Sequence, residues 1–106
     1  MTFQEFQNFA IKTPVAMRSN RDRVDLAIVG LQKDAGKIGS LLQAAFASGK
    51  LQLTPDQGAE VQDRMSDVLW YIALLSIEVG INMEDLAARS VTLLRDRMKS
   101  FDPDRR

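Results

Sequence analysis

Apolar residues recur along this chain at steps of three and four, the spacing of one helix face, and nowhere alternate for long enough to suggest a strand. The first run places Phe3, Phe6, Phe9 and Ala10 behind a capping box, Thr2-x-x-Glu5. It ends near Thr13, because Pro14 disfavours helical geometry in the residue before it. Residues 14–22, with Pro14, Ser19 and Asn20, read as a loop. A second helix is expected from about residue 22 to 47, with Val24, Ile28, Leu31, Ala35, Ile38, Leu42 and Ala45 as its core-facing stripe and Gly49 as its stop.

After a connection over 48–54, Thr54-Pro55-Asp56-Gln57 is the clearest helix start in the chain: a threonine cap, proline at the first helical position and glutamine closing a capping box. The third helix then runs to about residue 79 on the stripe Val61, Met65, Val68, Ile72, Leu75 and Val79, and Gly80 is a left-handed terminator. Leu69, Trp70, Ala73, Leu74 and Ile77 make its second half apolar nearly all round. That half should be central, covered by its own chain or by a partner subunit. Asn82 caps a fourth helix over about 83–99 with Leu86, Val91, Leu94 and Met98 inward, and the tail 100–106 frays.

The expectation is one all-α domain over residues 1–106, a four-helix bundle. Its excess of apolar surface over 68–79 calls for assembly as a homodimer or homotetramer. With 14 basic and 14 acidic residues the formal charge is zero, which supports no binding to nucleic acid or to an anionic membrane. The chain holds no cysteine and no histidine, so thiol chemistry, imidazole general-base catalysis and the usual zinc sites are excluded. Any metal must be held by oxygen, which favours Mg²⁺ or Mn²⁺. The first residues lack a basic region followed by an apolar run, and no apolar stretch is long enough to span a bilayer. A cytoplasmic protein is the expectation.

Candidate chemistry lies where acids interrupt apolar helices. Asp67 stands in the segment Arg64-Met-Ser-Asp-Val-Leu-Trp-Tyr-Ile72, and Asp34 in Gly30-Leu-Gln-Lys-Asp-Ala-Gly-Lys-Ile38. On the third helix Glu60, Asp63, Arg64, Asp67 and Tyr71 fall on neighbouring steps and form a polar ridge. On the second, Asp34 and Lys37 lie one turn apart. If the two helices pack antiparallel, the ridges can meet inside the bundle, where carboxylate metal sites are often built. Ridges of this kind are more often solvated faces, with Lys37 and Arg64 simply paired to exposed acids. Trp70 and Tyr71 suit core packing better than base stacking. Gly36 and Gly39, within a helix, each cost about 1 kcal/mol relative to alanine and ask for the close approach of a helix or a ligand.

Across nearly its whole length this order of features resembles the all-α nucleoside triphosphate pyrophosphohydrolases, the MazG-like family. The family's Gly-Leu-x-x-Glu-x-Gly-Glu is similar to Gly30-Leu31-Gln32-Lys33-Asp34-Ala35-Gly36-Lys37, and its Glu-x-x-Asp-Val-Leu-Trp-Tyr to Arg64-Met65-Ser66-Asp67-Val68-Leu69-Trp70-Tyr71. Gly80-Ile81-Asn82-Met83-Glu84-Asp85-Leu86 looks like a third shared stretch. Downstream, Ser90, Leu93 and Arg97 fall where the family commonly shows Asn, Lys and Arg. The resemblance implies a MazG-like bundle that cleaves a nucleoside triphosphate to a monophosphate and pyrophosphate, with Mg²⁺ held by four carboxylates.

The departures fall on those four positions. Asp34 and Asp67 keep acids, while Lys37 and Arg64 stand where the family has glutamates. Asp34, Asp67, Lys37 and Arg64 sum to zero charge and can satisfy one another by charge-assisted hydrogen bonds, which leaves no need for a cation. Asp67 and Asp34, with Glu60 or Asp63 as displaced ligands, are the residues that could hold Mg²⁺; Asp63 points about 100° of helix rotation away from Arg64. Lys37, Arg64 and Arg97 are the candidates for contact with a nucleotide or another phosphate-containing small molecule. Weak or lost Mg²⁺-dependent activity is expected, the alternative being a non-catalytic binding or structural oligomer on the same scaffold.

Overall fold

The computed structural model describes residues 1–12, 19–50 and 52–100. It is all-helical among them: α1 (Phe3–Lys12), α2 (Asn20–Phe46), α3 (Pro55–Glu78) and α4 (Met83–Ser100). Local capping explains most boundaries. Thr2 and Glu5 exchange their side-chain bonds at the start of α1, and Thr54 and Gln57 do the same at α3, with Pro55 behind the cap. Ser19 caps α2 by accepting from the Asp22 amide, so the helix begins two residues earlier than its charge pattern suggests. Most of the loop expected over 14–22 falls outside the described residues, as do Leu51 in the 48–54 connection and the tail beyond 100.

The α3–α4 corner is a Schellman turn. Gly80, at φ 73°, donates to the Ile77 carbonyl and Ile81 to that of Ser76, after which the Asn82 side chain accepts from the Glu84 and Asp85 amides. This corner turns the chain through 107°.

Helices α2 and α3 pack antiparallel in one consistent register. Arg23 reaches Glu78 at 3.5 Å, Gly30 lies under the Tyr71 ring, and Asp34 meets Arg64. Fully buried Ala27, with Leu31 and Ile38, shares the inner face with Asp34. Val24, Leu31, Ile38, Leu42 and Ala45 of the expected stripe are half-buried, whereas Ile28 and Ala35 are exposed, because the small Ala27 and the charged Asp34 occupy the contact and an apolar count passes over both. On α1 the buried positions are Gln7 and Ala10, whereas Phe9 is 64 % exposed. Ala10, Ala73 and Met83 form a small core against which Phe6, Leu69, Trp70 and Ile72 pack.

Gln7, 5 % exposed, holds the corner by both ends of its amide, donating to the Ile81 carbonyl at 2.8 Å and accepting from the Met83 amide at 3.1 Å. The Asn82 amide donates to Gln4, and the Gln4 backbone donates to Glu84. Only the start of α4 is seated in this way. Leu86, Val91, Leu94 and Met98, expected inward, are 39, 46, 51 and 70 % exposed, because the corner directs α4 away from α3.

Of the α2 glycines, the close approach is at Gly30. A Cβ there would stand 2.5 Å from the Tyr71 ring, while one on Gly36 or Gly39 would meet nothing within 4 Å. Gly30→Ala is expected to destabilise by about 1–3 kcal/mol through overpacking. Gly36→Ala and Gly39→Ala should each stabilise by about 0.5–1 kcal/mol by removing helix-interior glycine. Urea denaturation of the three variants checks the ordering, and equal effects at all three positions would contradict it.

Candidate functional site

The site lies midway along the α2–α3 interface. From α2, Asp34 points inward with its side chain 8 % exposed, and from α3 Arg64 lays its guanidinium against it, Nη1 to Oδ1 at 3.1 Å. The same guanidinium turns Nε toward Glu60 one helical turn earlier, at 3.6 Å. That is within ion-pair range but too long for a hydrogen bond, and among the described residues the buried Nε has no hydrogen-bond acceptor. Arg64 is thus shared between a buried acid and a half-exposed one, and the buried contact is the shorter.

Tyr71 completes the site from one helical turn beyond Asp67. Its ring fills the slot left by Gly30 and leans on Trp70, with ring centroids 5.5 Å apart and planes tilted by 39°. Burial, then the negative charge of Asp34 and that of Asp67, push the phenol above its ordinary value. Tyr71 therefore stays a neutral donor. Sequence spacing puts Tyr71 on the ridge but gives no sign of its partner; a glycine in a helix opposite an aromatic residue, at matching antiparallel register, is the signal that could have done so.

The four-way cluster expected of Asp34, Lys37, Arg64 and Asp67 is only half assembled. Asp34 and Arg64 meet. Lys37 and Asp67 are exposed, and among the described residues neither has an ion-pair partner. Asp67 is linked to the site through the field it exerts on Tyr71. Asp63 is exposed, Glu60 faces Arg64, and Arg97 is exposed near the far end of α4, the helix that points away from the α2–α3 pair. Among the described residues no three carboxylates converge where they could share a metal ion. Of these acids Asp34 carries Arg64 as its counter-charge.

Comparison with protein-family models, with curated proteins and with solved structures gives no match.

Tyr71 is the single tyrosine of the chain, so phenolate absorbance reports it alone. Its titration midpoint is expected above the ordinary tyrosine value of about 10, and Asp67→Asn should lower it. Because the raised folded value favours the neutral phenol, this contribution to stability is fully present below the unfolded value and is lost as pH rises through the folded one. A midpoint at or below that of a free tyrosine would contradict the placement of the ring.

Proposed function

We propose that this chain is a MazG-like helical protein in which the nucleotide pyrophosphohydrolase centre is replaced by an internal ion pair, so that Mg²⁺-dependent cleavage of nucleoside triphosphates is weak or lost. The observation that carries this reading is the Asp34–Arg64 contact of 3.1 Å. A carboxylate committed to a guanidinium is not available to a divalent cation, and that cation would be repelled by the guanidinium beside it.

What remains suits binding rather than hydrolysis. Lys33 and Lys37, one turn apart on α2, are both exposed on the helix that carries Asp34, and an ammonium is a point charge suited to a phosphate oxygen. Tyr71, kept neutral, adds a hydroxyl donor. The reading is therefore a protein that holds a nucleotide or phosphate-containing small molecule without splitting it.

Pyrophosphate release in the presence of Mg²⁺ and the common nucleoside triphosphates is expected near background and insensitive to Asp67→Asn. Robust release that Asp67→Asn abolishes would overturn the proposal and restore the enzyme.

A further inference from the structure

An apolar seam runs out along α4 from Ala87, which lines a groove with Phe3, Leu69 and Ile72, to exposed positions nearer its end. Ala87, Val91, Leu94 and Met98 follow one another at steps of four, three and four, the heptad spacing that keeps one face of a helix toward another helix. The last three are 46, 51 and 70 % exposed. This is independent of the Asp34–Arg64 site and of any ligand it binds.

Two global quantities say how much surface is left uncovered. The chain presents 8101 Å², roughly 2,000 Å² more than a compact monomer of its mass. Its radius of gyration is 17.2 Å, against about 13 Å for a compact domain of this length. That excess is spread over the whole chain, and the exposed seam of α4 is one part of it.

Charge selects the occupant and its direction. The first turn of α4 carries Glu84 and Asp85 and its last turn Arg97 and Lys99. A second α4 laid parallel would set acid on acid and base on base, whereas an antiparallel one sets each acidic end beside a basic end.

We propose that the apolar seam of α4 is an interface with a second copy of this chain, the two α4 helices packing antiparallel about a twofold axis between Thr92 and Leu93. Val91 then faces Leu94 of the other copy, Ala87 faces its Met98, and Asp85 lies beside its Lys99. The contact is isologous, so it closes on itself.

Sedimentation at micromolar concentration is expected to give a dimer or a multiple of one. Leu94→Glu, at a position already exposed in the chain itself, should halve the mass while circular dichroism stays unchanged. Lys99→Asp should weaken association roughly fivefold, and adding Asp85→Lys should restore it. Because the chain has no cysteine, Ala87→Cys mixed with Met98→Cys reports direction. Antiparallel packing predicts a disulfide between the two variants, with neither linking to itself.

A monomeric wild-type chain overturns the proposal. So does an oligomer indifferent to Leu94→Glu. Self-linked Met98→Cys would mean parallel helices and would overturn the antiparallel arrangement.

Discussion

Arg64→Met is expected to lower stability by about 2–3 kcal/mol, because it strips the counter-charge from a carboxylate that is almost wholly out of water. The Asp34 side chain is 8 % exposed, and among the described residues its one ion pair is the contact with Arg64. The loss falls short of the largest values known for broken buried pairs because the Arg64 side chain is itself 29 % exposed, which already weakens the attraction. For a domain of this size the thermal midpoint should fall by roughly 10–20 °C. Asp34→Leu with Arg64→Met should recover most of the loss, since a matched apolar pair leaves no buried charge behind. Thermal unfolding of wild type, both single variants and the double, at one protein concentration, gives the coupling directly. An unchanged midpoint for Arg64→Met would mean that the pair does not hold the two helices.

Lys37→Glu combined with Arg64→Glu is expected to create Mg²⁺ binding beside Asp34 and Asp67. Each change moves the local charge by two units, so Asp34, Asp67 and positions 37 and 64 go from a sum of zero to minus four. The two changes are unequal on their own. Lys37 is exposed and has no ion-pair partner among the described residues, and its reversal alone should cost little, whereas Arg64→Glu alone sets a second carboxylate against buried Asp34 and should destabilise severely. In the double variant Mg²⁺ should bring back what repulsion removed. A ligand at a hundred times its dissociation constant adds about 2.7 kcal/mol to the folded state. The melting temperature of the double variant should thus rise steeply with Mg²⁺ while that of the native chain stays flat, and calorimetric titration should show heat for the variant alone. No metal-dependent shift in the double variant would mean that positions 37 and 64 do not face a common point with Asp34 and Asp67.

Much of the architecture is legible in the sequence because it is locally encoded. The Thr2 and Thr54 capping boxes, the Asn82 cap and the left-handed Gly80 are decided within a few residues, and the helix boundaries follow them. Which face turns inward is less legible. On α2 the contact is made by Ala27 and Asp34, and a hydrophobic count favours Ile28 and Ala35 because it cannot know that a charge arriving from α3 makes Asp34 acceptable inside. On α4 the stripe Leu86, Val91, Leu94 and Met98 is easily seen, but periodicity says only that a face is apolar and not that its own chain covers it. For the site, the motif spacing found Asp34 and Arg64. It overstated Lys37 and Asp67, whose long or outward side chains are not fixed by helical register. The Gln7 clasp on Ile81 and Met83 left no trace in the pattern, since a glutamine on a short helix reads as solvent-facing.

That clasp also bears on how the chain assembles. α2 and α3 meet across a short connection, so their pairing closes cheaply. The Gln7 bonds instead join positions separated by 74 and 76 residues, and what they grip is the backbone of a corner that exists only once α3 has ended and α4 has begun. A helix of ten residues is marginal by itself in water. The full seat of α1, partly on α3 and partly on this corner, therefore exists only where both later helices are in place.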